Sequence, residues 1–367
     1  MSVSVGIPET AAVEVAQPRR SSSLFGRLAG HFLVRRLAKA LVTVWLVVTL
    51  TFFLIHLMPG NPIDAYITQQ ITQYGMSYAT AKAQAAALFS IDLNRPLPLQ
   101  YVDFLGGLAH GDLGKSLVNT GTPVSTEVLQ YLPWTLFCVG VGLLISFTLG
   151  SALGMVMAYR RESALDHVLS AAGSLLSSIQ NYILATLIIA FLGVQLNLIP
   201  FAQMRGTLSP GVTAGFSLGF IGDAFYHGAL PITVYVLSTI GTWMLTMKSS
   251  TIGALGEDYV TVARARGLPH RRIVSAYVGR NAILPVFTQL AITIGFAIGS
   301  AAPIEQVFQY QGAGFLLLAS ISQRDYTVMQ AIFMIITVSV VLSNLLADLL
   351  YSKLDPRITI AGRGGEA

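Results

Sequence analysis

The sequence has 367 residues, of which 53% are hydrophobic and 11% are charged, with a net charge of +5 at pH 7. Soluble globular chains carry about 25% charged residues, because charged side chains keep a protein surface in contact with water. So low a charge content excludes a soluble enzyme of ordinary composition and a disordered chain, and it predicts that lipid is a principal solvent. The single cysteine, Cys138, can form neither an intramolecular disulfide nor a Cys/His metal site.

Six segments are long and apolar enough to be membrane helices, since about 20 apolar residues cross about 30 Å of hydrocarbon. These runs do not alternate with period two, which argues against a β-barrel. The predicted fold class is therefore all-α, a polytopic membrane protein with six transmembrane helices. The predicted spans are 38–58, 133–158, 173–194, 228–247, 282–304 and 327–350, and Gln180 and Asn181 interrupt the third.

The basic residues are distributed unevenly between the two sides that these spans define. Seventeen of the 22 Lys and Arg residues lie before or at the start of the first span, follow the last, or lie between spans two and three or four and five. Cytoplasmic loops carry an excess of Lys and Arg, so this bias predicts a multi-pass membrane protein with both termini in the cytoplasm. It also accounts for the net positive charge without nucleic acid as a partner.

The spans divide the chain into a transmembrane domain at 32–358 and two cytoplasmic tails. The first tail, 1–31, is predicted to be disordered because of its Pro and Ser content, and the second is 359–367. The external loop 59–132 is large enough to pack as a small extracytoplasmic subdomain, and its sequence predicts a helix from about Thr68 to Phe89.

That loop also contains Gly114-Lys115-Ser116, which matches the end of a nucleotide-binding P-loop. The full motif needs another glycine five residues before Gly114, where this chain has Ala109, and it must connect a strand to a helix. The sequence therefore predicts no nucleotide site here.

The loop 248–281 has an unusual order of residue types. Acidic residues come first, small and β-branched residues follow, and then come basic residues, Gly267 and Pro269. A short helix favours this order, because carboxylates suit its N-terminal end and glycine suits the position after its C-terminus. Six basic residues alone would fit a solvated cytoplasmic loop, but a compact capped helix favours a docking surface.

This loop carries a family resemblance. The segment DYVTVARARGLPHRRIVSAYVGRNAILPV, 258–286, resembles the cytoplasmic loop of permease subunits of ATP-binding-cassette importers, in the dipeptide, oligopeptide and nickel branch. The resemblance covers about 32–358. Further matching stretches occur in family order: Met58-Pro59-Gly60-Asn61-Pro62, Asn94-Arg95-Pro96-Leu97-Pro98, Gly111-Asp112-Leu113-Gly114, Leu132-Pro133-Trp134-Thr135-Leu136, Arg324-Asp325-Tyr326 and Leu354-Asp355-Pro356-Arg357.

Three departures from the family pattern stand out, and one is the predicted helix near 68–89, which is longer than the usual spacing. The branch often has His where this chain has Tyr277, and Pro-Gly-Leu-Gly where it has Gln311-Gly312-Ala313-Gly314. These differences leave the transporter class intact but bear on the substrate.

The resemblance implies a type I importer permease fold and a non-catalytic subunit of the bacterial inner membrane. Such a subunit forms half of a pathway for di- or oligopeptides delivered by an extracytoplasmic binding protein, with oligosaccharides or nickel chelates as alternative substrates. The implied partners are a second homologous permease, ATP-binding subunits, the binding protein and the lipid bilayer. This chain is expected to bind no cofactor itself, since ATP-Mg is bound by the partner subunits.

The resemblance also implies two sets of site residues. A coupling helix at 257–268 docks on the ATP-binding subunit, and the fifth span lies beside the translocation path. The docking candidates are Glu257, Asp258, Tyr259, Ala263, Arg264, Ala265, Arg266 and Gly267, and the path candidates are Gln289, Gly295, Gly299, Ser300 and Glu305.

Two other classes compete with this interpretation. A secondary transporter or channel usually places ionisable groups near the bilayer midplane, and no Lys, Arg, Asp or Glu lies at the middle of any predicted span. A membrane-bound enzyme would need a catalytic constellation, and the sequence shows no Ser/His/Asp, paired-carboxylate or metal-binding pattern on one face. The six histidines are scattered singly.

Overall fold

The computed structural model describes residues 22–57, 62–89, 96–116, 118–119, 121–215 and 217–354. These parts of the chain form thirteen α-helices and no strand, with one isolated bridge between Lys115 and Pro123. The helices are α1 Ser22–Leu57, α2 Pro62–Tyr74, α3 Tyr78–Phe89, α4 Leu97–Ala109, α5 Val124–Tyr159, α6 Ala164–Ser178, α7 Asn181–Ile188, α8 Leu218–Leu255, α9 Asp258–Ala265, α10 His270–Arg272, α11 Arg280–Phe308, α12 Ala313–Gln323 and α13 Tyr326–Leu354. Two π-helical segments, Ile189–Gln195 and Ile273–Gly279, continue α7 and α10.

The chain divides into two compact units, Met1–Val42 and Thr43–Ala367. The described part of the first unit is the N-terminal part of α1, and the second unit contains all the other helices. Because α1 begins at Ser22, helix extends into the segment 1–31 that the sequence predicts to be disordered. Apolar residues four apart in that segment, Leu24 and Leu28, fit a helix. Residues 1–21 and the predicted tail 359–367 lie outside the described residues.

Among the described residues, five helices or continuous helix pairs are long and apolar enough to cross a membrane. They contain Leu37–Leu54 of α1, all of α5, all of α8, His270–Phe308 of α10 and α11, and Tyr326–Leu346 of α13. The third predicted span is not one straight helix. It is a broken pair, Ala164–Ser178 and Asn181–Gln195, bent by 101°, which gives up to six spans if the pair counts as one.

The bend has a local cause in the sequence. Ile179 and Gln180 have extended backbones, with ψ of 127° and 138°, and α7 restarts at Asn181. Polar side chains compete with the backbone for hydrogen bonds and favour helix ends over helix interiors. The interruption that the sequence shows at Gln180 and Asn181 therefore becomes a change of direction.

The hydrophobic core lies where α5, α8 and α11 meet, and Trp243, Met247 and Val286 are fully buried there. Small residues bring α5 onto α8: a Cβ on Gly150 would lie 2.5 Å from the Trp243 Cβ, and one on Gly154 would run into the Met244 carbonyl oxygen. Membrane helices associate closely through such positions.

The sequence predicts a single helix from Thr68 to Phe89 in the large loop between the first two spans. The structure has two helices there, α2 and α3. α2 ends at Tyr74, Gly75 has a φ of +65°, and Ser77 accepts a hydrogen bond from the Thr80 amide at the start of α3. A glycine in the left-handed region and a serine cap are strong signals for a helix end and a new start. The single-helix prediction was therefore wrong at this position.

Gly114-Lys115-Ser116 lies in a tight hairpin and not in a P-loop. The Ser116 amide donates to the Thr122 carbonyl at 2.9 Å, and the Val124 amide to the Gly114 carbonyl at 3.0 Å. The buried Ser116 hydroxyl donates to Asp325, whose other carboxylate oxygen accepts from the Val328 amide in the first turn of α13. The motif thus fastens this loop to the start of the last membrane helix.

Candidate functional site

α9 is a short helix that follows α8 directly, and it has one buried face. Val260 and Ala263 are buried. Both belong to the hydrophobic cluster that also contains Ala254, at the end of α8, and Ile273, which follows α10. Residues three apart share a face of a helix with 3.6 residues per turn. α9 is therefore anchored to the bundle along one side.

The C-terminus of α9 is closed by glycine, as the sequence predicts. Gly267 has a φ of +68°, its amide donates to the Arg264 carbonyl at 2.9 Å, and the Leu268 amide donates to the Ala263 carbonyl at 3.3 Å. This pair of bonds is the Schellman motif, in which a residue in the left-handed region ends a helix. The predicted end of this helix at Gly267 is confirmed.

The opposite side of α9 is exposed. Asp258, Thr261, Val262 and Ala265 share this side, and Val262 is 50% exposed. We call these four residues the α9 outer face. The α9 outer face is thus the side of the helix that the bundle does not cover.

The structure divides the predicted docking residues. Glu257, Asp258, Arg264, Ala265, Arg266 and Gly267 are exposed, Tyr259 is half-buried against the bundle, and Ala263 faces the core. Val262 is absent from the predicted docking residues, yet it lies on the α9 outer face. Its position four residues after Asp258 and three before Ala265 would have placed it on the outer face.

The predicted path residues on α11 fall on different sides of that helix. Gln289, Gly299 and Ser300 are exposed and lie on one face, together with Phe296. Gly295 is buried against α13, where its Cβ would lie 3.0 Å from the Ser343 Cβ. The exposed α11 face thus brings together three of the five candidates.

Asn181, at the bend between α6 and α7, contacts this exposed face. Its Nδ2 donates to the Ser300 carbonyl oxygen at 3.2 Å. The bond joins the broken helix to the α11 face.

Glu305, the fifth path candidate, is fully buried and holds together three helices. Its Oε1 accepts from the Thr135 hydroxyl of α5 at 2.5 Å, and its Oε2 accepts from the Phe315 amide at 2.9 Å. Thr135 Oγ1 in turn accepts from the Ala313 amide at 2.7 Å. These bonds satisfy amides in the first turn of α12, where a carboxylate is also favoured by the helix dipole.

Two glycines make this arrangement possible. A Cβ on Gly312 would collide with the Glu305 carboxylate, and one on Gly314 would collide with the backbone of Ala302. The Gln311-Gly312-Ala313-Gly314 stretch therefore keeps both glycines that the family pattern has, at the positions where α12 approaches α11.

The structure assembles a Ser/His/Asp group that the sequence analysis did not find. Ser209 donates its hydroxyl to Asp223 Oδ1 at 2.7 Å, its amide donates to Asp223 Oδ2 at 2.7 Å, and its Oγ lies 3.1 Å from His227 Nε2. A catalytic triad needs the carboxylate on the second ring nitrogen. Here the Ser209 hydroxyl and the Asp223 carboxylate both face Nε2 of His227, while its Nδ1 is buried. The arrangement is therefore not that of a triad, and its bonds attach the loop before α8 to that helix.

Comparison with known proteins assigns the family. Residues 150–360 match the binding-protein-dependent transport system inner membrane component, and residues 30–136 match the N-terminal part of such membrane components. The chain belongs to this family. The two matches include α9, five of the six predicted spans and both ends of the other, 133–158, so family membership accounts for the type I importer permease fold.

Relatives in this family are similar over nearly their whole length. An oligopeptide transport system permease protein of Bacillus subtilis is 31% identical, with 89% of this chain and 98% of the relative covered. The di/tripeptide permease protein of Pseudomonas aeruginosa is 32% identical and the dipeptide permease protein of Escherichia coli K12 is 30% identical, each with the same coverage. The chain is thus similar to peptide permease proteins over most of its length.

Proposed function

We propose that this chain forms half of the translocation pathway of an ATP-driven importer, and that the imported substrates are di- or oligopeptides. The observation that carries the proposal is the two-sided α9, whose Val260 and Ala263 anchor it in the bundle while Val262 is exposed. A helix that is packed against the bundle on one side and exposed on the other can bind a partner protein and transmit the partner's movement to the bundle.

The partner on the α9 outer face is an ATP-binding subunit. The basic loops, including the one with α9, lie on the side that the charge bias places in the cytoplasm, where ATP is present. ATP-Mg is held by that subunit, and this chain acts by docking. A second homologous permease completes the pathway, and both termini of this chain lie in the cytoplasm.

The substrate assignment rests on the relatives and on the exposed α11 face. The relatives are named for oligopeptide, di/tripeptide and dipeptide transport. Gln289 and Ser300 offer hydrogen-bond donors and acceptors on the exposed face, and peptide amides need both. An extracytoplasmic binding protein delivers the peptide, so much of the selection occurs before this chain is reached.

Uptake into proteoliposomes tests the proposal. Vesicles contain this chain, the second permease and the ATP-binding subunits, and the purified binding protein is added with a labelled dipeptide or with a labelled oligosaccharide. Peptide uptake that requires both ATP-Mg and the binding protein is the expected result. Uptake driven by an ion gradient without ATP would support a secondary transporter, and uptake of oligosaccharide alone would contradict the peptide assignment.

A further inference from the structure

α6 and α8 touch through their backbones. A Cβ atom on Gly241 of α8 would run into the carbonyl oxygen of Gly173 in α6, and one on Gly173 would lie 3.4 Å from the Gly241 Cα. Small residues at such crossings leave no side chains between two membrane helices. A displacement of α8 at this crossing would therefore also displace α6.

A nearly buried ion pair joins the same two helices at the end that leads to α9. Lys248 Nζ lies 2.6 Å from Asp166 Oδ1 and donates to Ser170 Oγ at 2.9 Å. The side chain of Asp166 is 5% exposed and that of Lys248 is 22% exposed. Where so little water is present, removing one partner leaves the other charge uncompensated, so the contact between α6 and α8 at this end depends on both residues.

The ion pair is close to α9 through packing as well as sequence. Lys248 lies near the end of α8 at Leu255, and α9 begins at Asp258. Ala254 at the end of α8 and Val260 in α9 belong to one buried cluster. A movement of α9 would therefore displace the end of α8, where the ion pair lies.

The far end of α6 leads to the exposed face of α11. The chain bends by 101° after Ser178, and Asn181 at the start of α7 donates to the Ser300 carbonyl oxygen at 3.2 Å. A continuous set of contacts thus runs from α9 through α8 and α6 to the α11 face. Such a route transmits a movement only if the joined elements shift together, which substitutions at its contacts can test.

We propose that Asp166 and Lys248 are a positioning pair for coupled transport. The pair makes α6 follow α8 when α9 moves, and α6 then displaces the contact between Asn181 and Ser300. This inference rests on the proposed function, because it requires that α9 receives movement from an ATP-binding subunit. Asp166 and Lys248 contact neither ATP nor substrate, and they act only through the helices that they join.

The test measures how much peptide is imported per ATP hydrolysed, with the complete importer in proteoliposomes. Asp166→Asn and Lys248→Met each remove one charge, while Lys248→Arg keeps the pair. Glu162→Gln is the matched control, because it removes an exposed ion pair with Arg161 on the adjacent turn. The ratio does not depend on the amount of permease inserted, so a purely structural defect lowers both activities and leaves it unchanged.

Asp166→Asn and Lys248→Met are expected to lower the ratio at least about fivefold while ATP hydrolysis continues. Lys248→Arg is expected to stay within about twofold of the unmodified importer, as is Glu162→Gln, since exposed pairs contribute little. An unchanged ratio in the two charge-removing variants would overturn the proposal.

A third variant covers the case in which the charge-removing variants do not insert. Asn181→Leu leaves the ion pair intact and removes the contact with Ser300, so it should lower the ratio in the same way. A normal ratio in this variant would also overturn the proposal. An unmodified importer that transports no peptide contradicts the proposed function, whereas normal transport with unchanged ratios contradicts only the positioning role.

Discussion

The Glu305 carboxylate accepts a hydrogen bond from the Thr135 hydroxyl at 2.5 Å, although the two residues are 170 positions apart in the sequence. Together they supply acceptors to two amides at the start of α12. A helix that begins inside a membrane protein has no water for its first amides, so distant side chains must satisfy them. This contact explains why an acidic residue is fully buried near the end of α11.

Removing the Glu305 carboxylate should destabilise the protein. Glu305→Ala leaves the Phe315 amide and the Thr135 hydroxyl without their acceptor, and buried unsatisfied groups cost about 1–3 kcal/mol each in free energy of unfolding. The midpoint of thermal unfolding in detergent should therefore fall clearly. Gln289→Ala on the exposed face of α11 is the control and should leave the midpoint nearly unchanged, and equal midpoints for the two variants would contradict the capping role.

A substitution at Gly312, which lies beside Glu305, should also destabilise the protein. Gly312→Ala places a methyl group against the Glu305 carboxylate, whereas Gly299→Ala places one 3.5 Å from Ile336 Cγ2, an ordinary contact distance. Overpacking of this kind costs about 1–3 kcal/mol. The comparison is made by thermal unfolding and by the yield of folded permease, and Gly312→Ala should be inferior in both.

Gly267 should tolerate only residues that accept its backbone conformation. Gly267→Val forces a β-branched residue to a φ of +68°, which costs about 1–2 kcal/mol and loosens the end of α9. Gly267→Asn should retain most transport, because asparagine visits this region readily. Gly256→Ala is the control at a negative φ of −82°. Uptake assays that find full transport with Gly267→Val would remove the coupling role of this turn.

The spans could be predicted from sequence because each depends on a local run of apolar residues. The end of α9 was equally predictable, since Gly267 and the residues before it carry their own capping signal. Asn181 was visible as an interruption, but a 101° bend depends on what α7 packs against, and local sequence does not contain that information.

The buried groups could not be assigned from sequence, because their partners are distant. Ser116 next to Lys115 suggests phosphate chemistry by pattern, yet its hydroxyl bonds Asp325, 209 positions away. The position of Glu305 at the end of a predicted span suggests a hydrated or path-lining carboxylate. It is buried because α12, which follows later in the sequence, packs against it. Val262 differs from these groups, because its spacing from Asp258 and Ala265 is local and could have placed it on the α9 outer face.

Site-specific cross-linking from Val262→Cys to the ATP-binding subunit tests the docking of α9 most directly. The native Cys138 is buried, so a thiol-attached photoreactive probe labels the introduced cysteine selectively. The control is Ser322→Cys, an exposed position on α12 that the charge bias places on the other side of the membrane. We predict a strong cross-link to the ATP-binding subunit from position 262 and none from 322; yields that are equal, or absent from both, would contradict docking through this face.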